Sequence, residues 1–266
     1  MMAKILKISD CETPNAKDVC VFLADYGANL LASGATCIRL DKNIDRIAGT
    51  YGMEADMTVM PRHIHLTVVD NCTGEIVTSI ATVPDNGISF AVNTDLSRLS
   101  WEIADGKMDF RSAVEKYGRI VRGHCQNKWL LLILVALANA SFCRLFGGDP
   151  IAMAVVGAAT LAGYYMKSLL LTRKMDIRVV FIICSFISTV IGATDMLFAL
   201  GTTPEIAIGT SVLYLVPGIP FLNSFSDLLY RRYLCAFARF ADAIILTCCL
   251  STGLCVGMFL MKVSMF

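Results

Sequence analysis

The sequence has 266 residues, of which 56% are hydrophobic, with a formal net charge of +1 and a mean hydropathy of +0.62. A soluble domain of this length would not have so large a hydrophobic fraction, so the composition predicts a membrane protein. The near-neutral charge gives no reason to expect nucleic acid as a partner. The eleven cysteines are odd in number and irregularly spaced, which is typical of reduced thiols rather than of a disulfide framework.

The hydrophobic residues are concentrated in the second half of the chain. Nearly all the long uncharged runs follow Trp129, whereas the first half mixes charged and apolar residues. We therefore expect two domains, a cytosolic α+β domain over residues 1–127 and an α-helical transmembrane bundle of five spans over residues 128–266.

The N-terminal domain is predicted to begin with two amphipathic helices. Apolar residues recur at helical spacing over residues 19–30 and again over residues 37–48. Over residues 56–82 the period changes, because β-branched residues become frequent and alternate with polar ones, which predicts short strands of one sheet. Two further helices are predicted from the apolar faces formed by Leu96, Leu99 and Ile103 and by Ala113, Val114 and Tyr117.

Five hydrophobic segments follow, each close to the roughly 20 residues that a bilayer requires. They cover residues 129–146, 151–171, 179–200, 203–225 and 234–261. The second segment is rich in alanine and glycine, which favours close packing between membrane helices.

Basic residues predict the orientation of these spans. Lysine and arginine clusters precede the first span and follow the second and fourth, whereas the loops GGDP and GTTPE have none. The positive-inside rule then places the N-terminal domain in the cytosol and the C-terminus outside, with the chain in the inner (cell) membrane. Arg144, near the outer end of the first span, is the exception, and Asp149 is the expected partner of its charge.

The fourth span is interrupted by Pro217, Gly218 and Pro220. Each proline removes a backbone donor and clashes with the carbonyl one turn back, so the helix is expected to break there. Pro220, Asn223 and Asp227 are spaced i, i+3 and i+7, which places an amide and a carboxylate on one helical face. Many transporters build a substrate site from a broken helix of this kind. The alternative is a proline kink whose polar residues only join helices together.

Ionisable residues within a bilayer are costly, so those in the spans are functional candidates. Asp195 lies near the outer end of the third span and Asp227 near the inner end of the fourth. A proton or ion relay between these depths is one interpretation, and carboxylates at the membrane interface are the other. Arg239 and Asp242, three residues apart in the fifth span, are expected to form an intrahelical ion pair.

The sequence offers little for catalysis, a cofactor or a metal. His63 and His65 share one face of a predicted strand, but no second pair with zinc-ligand spacing accompanies them, so no metal site is predicted. The sequence has no phosphate-binding glycine loop. Gly147, Gly148 and Asp149 differ from the GxGD motif of intramembrane aspartyl proteases. We therefore expect no enzyme activity and no cofactor.

Several motifs resemble those of the threonine/serine exporter family: LLASGATCIRLDKNIDRIAGTYG, TVPDNGISF, SFCRLFGGDP and LVPGIPFLNSFSD. The resemblance extends from about Cys20 to the fifth span and implies a cytosolic domain followed by five spans. Full-length members continue into a further membrane segment, so the resemblance implies the larger subunit of a split pair, a type linked to succinate export. The residues that match the shared motif are Gly148, Asp149, Pro217, Gly218, Pro220, Asn223 and Asp227.

The resemblance leads us to expect a subunit of a secondary exporter that moves a small polar metabolite outward. Threonine or serine is the first expectation and a dicarboxylate such as succinate is the near alternative. The expected partners are a smaller membrane subunit of the same family or another copy of this chain, a small-molecule substrate and the lipid bilayer. A membrane-anchored binding or sensory module is the alternative from another class. The expected transport residues are Pro217, Gly218, Pro220, Asn223, Asp227, Gly148, Asp149 and Asp195.

Overall fold

The computed structural model describes residues 14–85, 87–123, 127–198 and 201–263. These residues form two compact units. We call the first the N-terminal unit, which contains residues 14–123 and 219–240. We call the second the helical unit, which contains residues 127–218 and 241–263. The domain boundary predicted after residue 127 stays a prediction.

Among the described residues of the N-terminal unit, four helices form where the apolar periodicity predicted them. They are α1 (Ala16–Ala32), α2 (Cys37–Thr50), α3 (Phe90–Ala104) and α4 (Phe110–Gly123). The first helix begins where the Asn15 side chain accepts a hydrogen bond from the Asp18 N–H at 2.8 Å. This cap satisfies one of the amides that have no partner inside the first turn.

The predicted strands form one antiparallel sheet, whose three strands all lie within the described ranges. In order they are β1 (Met53–Val59), β2 (His63–Asp70) and β3 (Ile76–Thr82). In the central strand, Leu66 lies opposite Met57 of β1 and Ser79 of β3. Ile64, Leu66 and Val68 are fully buried because alternate side chains of β2 face the same side of the sheet.

The core of the N-terminal unit lies where α1 packs on β2 and β3. The Phe22 ring meets the rings of Phe110 and Tyr117 edge to face, with centroids 5.6 and 5.5 Å apart. The Tyr26 hydroxyl donates to the Leu96 carbonyl at 2.9 Å, so this buried polar group has a partner. Burial of each large apolar side chain contributes roughly 1.5–3 kcal/mol, which makes this cluster a main source of stability.

Two later helices contribute to the N-terminal unit. They are α10 (Gly218–Leu229), from residue 219, and α11 (Tyr233–Leu260), as far as residue 240. The Ser224 hydroxyl of α10 donates to the Ala236 carbonyl of α11 at 2.7 Å. Cys235 belongs to the core of the unit, and its thiol donates to the Val59 carbonyl of β1 at 3.3 Å. The second half of the predicted fourth span therefore packs with the N-terminal residues.

The described residues of the helical unit are almost entirely α-helical. Its elements are α5 (Lys128–Leu145), α6 (Pro150–Thr172), α7 (Ile177–Gly192), the short α8 (Thr194–Leu197), α9 (Pro204–Ser211), a 3₁₀ turn (Leu213–Leu215) and the part of α11 after residue 240. α6 packs against α5, α7 and α9. Trp129, Ile133 and Leu137 of α5 are exposed at spacing i, i+4 and i+8, as expected for a face that contacts lipid.

Within the described ranges, four helices are long and apolar enough to cross a membrane. They are Lys128–Leu145, Pro150–Thr172, Ile177–Leu197 and Tyr233–Leu260. Pro204–Leu215 and Gly218–Leu229 are bent at a short break and make a fifth span if the pair is one span. The predicted count of five is therefore reached only with the bent pair included.

Two glycines of α11 allow it to lie close to α7 inside the helical unit. A Cβ on Gly253 would overlap the Ile182 carbonyl and lie 2.9 Å from the Ser185 Cβ. A Cβ on Gly257 would lie 2.9 Å from the Thr189 Cβ. The spacing Gly253–x–x–x–Gly257 is the one that membrane helices use for close approach.

Candidate functional site

Asp227, the predicted carboxylate of the broken span, lies in a buried cluster of the N-terminal unit. Its side chain is 1% exposed, and Oδ2 accepts a hydrogen bond from the Arg239 guanidinium of α11 at 2.8 Å. Oδ1 accepts from the Cys37 N–H, the first residue of α2, at 3.0 Å. Thr36, the N-cap residue of α2, makes no side-chain cap. Asp227 therefore supplies the cap, and its charge is favourable at the positive end of the helix.

Asn223 contacts the same loop between α1 and α2. Its Nδ2 donates to the Gly34 carbonyl at 2.9 Å, and Arg239 donates to the next carbonyl, of Ala35, at 2.8 Å. Gly34 has φ +93°, a conformation that favours glycine. Asn223 and Asp227 thus lie on one face of α10, and both side chains bond the backbone of the α1–α2 loop from that face.

The ion pair between Asp227 and Arg239 corrects one expectation. Arg239 was expected to pair with Asp242 of its own helix, and this was wrong, because Asp227 of α10 offers the buried carboxylate. Asp242 is exposed and belongs to the helical unit. A substrate ammonium that reached Asp227 would have to replace the Arg239 guanidinium.

A second ion pair lies beside this cluster. Arg232, between α10 and α11, donates to the Asp41 carboxylate of α2 at 2.7 Å. Burial raises the pKa of Asp41 above its usual value, and the nearby Arg232 charge opposes that rise. The pair attaches α2 to the α10–α11 connection, although such partly exposed pairs typically contribute little stability.

The break predicted at the prolines lies between Leu215 and Gly218. Val216 has extended backbone, with ψ of 125°, as a residue before proline prefers. Pro217 follows in the break, and Gly218 begins α10. Pro220 lies in the first turn of α10, where its missing N–H costs no hydrogen bond. Pro217 therefore interrupts the helix, whereas Pro220 is suited to starting the next one.

Gly148 and Asp149 lie where α5 ends and α6 begins. The Gly148 N–H donates to the Cys143 carbonyl at 2.9 Å, and a Cβ on Gly148 would lie 2.5 Å from the Cys143 sulfur, so a larger residue does not fit. Arg144 donates to the Gly148 carbonyl at 3.1 Å. The expected ion pair between Arg144 and Asp149 was therefore wrong. Arg144 bonds the Gly148 carbonyl, and Asp149 bonds the N–H groups of Ala152 and Thr202.

The Asp149 carboxylate caps α6. Oδ1 accepts from the Ala152 N–H at 2.6 Å, and Oδ2 accepts from the Thr202 N–H at 2.5 Å and the Thr202 hydroxyl at 3.0 Å. The N–H groups of Ala152 and Thr202 lower the pKa of Asp149 below its usual value of 3.8. Asp149 is therefore a fixed negative charge at this end of the helical unit.

Asp195, in α8, is fully buried near Asp149. Both of its carboxylate oxygens lack a hydrogen-bond partner among the described residues. Gly201 lies between the two carboxylates, because a Cβ built on it would be 2.7 Å from Asp149 Oδ2 and 2.9 Å from Asp195 Oδ1. The structure thus brings two of the predicted residues together within one unit.

A row of polar side chains inside the helical unit was missed in the sequence. Asn139 of α5 donates to the Thr160 hydroxyl of α6 at 2.6 Å and to the Thr210 carbonyl of α9 at 3.1 Å. Ser188 of α7 lies 3.0 Å from the hydroxyl of Tyr214, in the 3₁₀ turn before the break. These bonds involve five elements of the unit in an apolar environment. The available signal was the presence of amide and hydroxyl side chains within otherwise apolar segments.

Lys167 of α6 was also missed. Its ammonium lies 5.2 Å from the ring centroid of Phe181 in α7 and 6.0 Å from that of Tyr164. With Tyr164 and Ser168 it lines a cavity of about 330 Å³. The described residues contain no ion pair of Lys167 with a carboxylate. The signal in the sequence was a single charge within the second hydrophobic segment.

Residues 21–261 match the model of a protein family described as "Putative threonine/serine exporter". The chain belongs to the threonine/serine exporter family. All eight predicted transport residues lie within the matched range. Since the exporter family consists of transporters, membership supports transport rather than catalysis.

Two curated relatives are each named "Probable succinate transporter subunit YjjP". The relative from Klebsiella aerogenes is 29% identical over 242 residues, which cover 90% of this chain and 92% of the relative. The relative from Escherichia coli strain K12 is 28% identical over 248 residues, which cover 92% of this chain and 94% of the relative. No solved structure matches this member of the exporter family significantly.

The transport roles of the eight residues in this exporter-family member stay predictions. Asn223 and Asp227 meet the α1–α2 loop of the N-terminal unit, whereas Asp149 and Asp195 meet at Gly201 in the helical unit. No group of three or more His, Cys, Asp or Glu side chains that could bind a metal occurs among the described residues.

Proposed function

We propose that this chain is one subunit of an inner-membrane exporter for small dicarboxylates, with succinate as the first candidate. The two named relatives support this assignment, because both are succinate transporter subunits by name and this chain covers more than nine-tenths of each. The proposed partner is a smaller membrane subunit of the same family or a second copy of the chain. The basic loops support a cytosolic location of the N-terminal unit.

The surroundings of Lys167 are the observation that favours a dicarboxylate substrate. A cation within a membrane helix is costly unless an anion or an aromatic face compensates it, and here aromatic rings do so in part. The cavity beside it, also lined by Tyr164 and Ser168, offers hydroxyl donors next to the ammonium. A substrate carboxylate at this position would complete the pairing of Lys167.

Threonine or serine is the second candidate, favoured by the description of the family. An amino acid brings an ammonium as well as a carboxylate, so its site needs a carboxylate that is free to pair. Asp227 is already paired with Arg239 and Cys37. The amino-acid alternative therefore requires Asp227 to exchange its partner during transport.

The break at Pro217 is proposed to act as the hinge of the transport cycle. The 3₁₀ turn before it contributes Tyr214 to the polar row, and α10 follows it. Backbone that leaves the helix at membrane depth is tolerated where it lines a cavity or is buried in protein. Motion at this break would change access to the polar row.

Efflux from cells that lack their own succinate exporters tests the proposal. Cells expressing the chain with its partner would be loaded with radiolabelled succinate or threonine, at matched protein abundance. We expect succinate efflux from the parent and at least about a tenfold loss in Lys167→Gln, because a hydrogen bond to a charged group contributes about 1.5–3 kcal/mol. Lys167→Arg should retain part of the activity.

Arg173→Gln is the matched control, since it removes an exposed charge just after the same helix. It should export like the parent. Threonine efflux that is unaffected by Lys167→Gln would instead support the amino-acid alternative. Efflux of neither substrate from any variant would favour the membrane-anchored binding or sensory module.

A further inference from the structure

Asp195 has an environment that a permanently charged carboxylate does not tolerate. It is 0% exposed, and neither oxygen has a hydrogen-bond partner among the described residues. An isolated ionised carboxylate away from water costs several kcal/mol, and proteins relieve this cost by neutralising the group. Asp195 therefore needs a positive charge that the described side chains do not supply.

The nearby carboxylate of Asp149 increases the need of Asp195 for a positive charge. Asp149 Oδ2 and Asp195 Oδ1 both lie within 2.9 Å of the position of a Cβ on Gly201. The two oxygens are thus less than about 6 Å apart, a distance at which like charges disfavour each other. Three hydrogen-bond donors from Ala152 and Thr202 stabilise Asp149 as the charged member. Asp195 accepts no hydrogen bond from the described residues, so it is the carboxylate of the two that takes a cation.

The other charges around Asp195 do not replace this cation. α8 packs against α6, α7 and α9. Asp149 caps the near end of α6, and Lys167 of the same helix lies about 27 Å away from it, at a rise of 1.5 Å per residue. Arg178 lies in the first turn of α7, at its far end, and Glu205 of α9 is exposed and negative. Arg144 of α5 bonds the Gly148 carbonyl.

We propose that Asp195 binds and releases the proton that drives export, with Asp149 as the fixed charge that draws the proton in. This inference rests on the proposed function. A proton is favoured over a metal ion because the described residues contain no third carboxylate, histidine or cysteine ligand in this group. In each cycle, a proton from the outer water forms an O–H bond on Asp195. The proton then leaves Asp195 for the inner water as the substrate moves out.

Infrared difference spectroscopy of the full chain in lipid nanodiscs tests proton binding without any substrate. Between alkaline and acidic buffer, the parent should gain a carboxylic-acid C=O band at the high-frequency edge of that region, because no hydrogen bond weakens the C=O of Asp195. The band should be absent in Asp195→Asn and present in the control Glu205→Gln. Gly201→Ala should shift it, since its Cβ displaces both carboxylates.

Persistence of the band in Asp195→Asn would overturn the proposal. Loss of the band on adding Na⁺ at constant pH would also overturn it and would indicate a sodium site instead.

Transport in proteoliposomes containing the chain and its partner provides the second measurement. Asp195→Asn should lose succinate accumulation driven by a pH gradient and keep succinate–succinate exchange, because exchange needs no net proton movement. Accumulation at the parental level in Asp195→Asn would overturn the coupling role. Absence of both activities in the parent would count against the proposed function, while the infrared result would still decide proton binding.

Discussion

Asp227 and Arg239 form a buried ion pair in which each group also has a backbone partner. Asp227 caps α2 at Cys37, and Arg239 donates to the Ala35 carbonyl. A buried pair of this kind is costly to break, because removing one member leaves the other charge without compensation. The cluster therefore fixes the α1–α2 loop, and any transport role of Asp227 must operate through this pair.

A double-mutant cycle measures how far the two charges depend on each other. Asp227→Asn and Arg239→Gln should each destabilise the chain by about 3 kcal/mol, because each leaves one buried charge unpaired. The double variant leaves neither charge, so its loss should be smaller than the sum of the two by about 1–3 kcal/mol. Thermal unfolding of the purified chain in detergent, followed by intrinsic fluorescence, checks this.

Asp242→Asn serves as the control for this cycle. It removes an exposed carboxylate three residues after Arg239 and should change stability by less than about 0.5 kcal/mol. Additive losses in the double variant would mean that Arg239 does not hold Asp227. Asp227 would then be free for the substrate role that its sequence context predicts.

At the scale of residues, the sequence predicted which polar side chains share a face more successfully than it predicted the groups that they bond. Asn223 and Asp227 were recognised as polar groups on one face, and they share that face. Their partners, Gly34 and Cys37, lie 189 and 190 positions away in the chain, and helical periodicity has no information at that range. The expected pairs of Arg239 and Arg144 failed because only neighbours in sequence were available as candidates.

At the scale of elements, apolar periodicity located the helices well. The predicted span 151–171 corresponds to Pro150–Thr172, and the span 234–261 to Tyr233–Leu260. The third span is less regular, since Ala193 separates α7 from the short α8 that contains Asp195. Averaged hydropathy alone could not predict that interruption, because Ile177–Leu197 as a whole is apolar enough to count as one span.

The close packing of α11 on α7 should depend on Gly253. In Gly253→Ala the new Cβ would meet the Ile182 carbonyl, and backbone cannot yield as a flexible side chain can. We expect a loss of about 1–3 kcal/mol from this overpacking. Gly209→Ala in α9 is the matched control, because nothing lies within 4 Å of its Cβ position. Helix propensity predicts that it stabilises the chain by up to about 1 kcal/mol.

Thermal unfolding of the two glycine variants in lipid nanodiscs distinguishes these effects. Gly253→Ala should unfold below the parent and Gly209→Ala at or above it. Equal unfolding temperatures for both variants would mean that α11 does not pack against α7 at Gly253.

At the scale of the whole molecule, composition separated a first half rich in charged residues from an apolar second half. It could not predict that residues 219–240 pack with the N-terminal residues, because α10 and the start of α11 read as membrane segments. Asn223, Cys235 and Arg239 are among the side chains that make these contacts, with backbone carbonyls of Gly34, Val59 and Ala35. Their partners became visible only in three dimensions.

The contribution of residues 219–240 to the N-terminal unit can be measured by comparing the fragment 1–125 with the full chain. The fragment retains the core around Phe22, so we expect a folded α+β domain. It lacks Asp227, so the Cys37 N–H loses its partner, and hydrogen exchange over residues 33–41 should be about tenfold faster or more. Leu66 of β2, whose amide belongs to the sheet, provides the internal control. Equal protection of residues 33–41 from hydrogen exchange in both proteins would show that α10 does not fix this loop. A fragment whose amides are all unprotected would show that residues 219–240 are needed for the whole core.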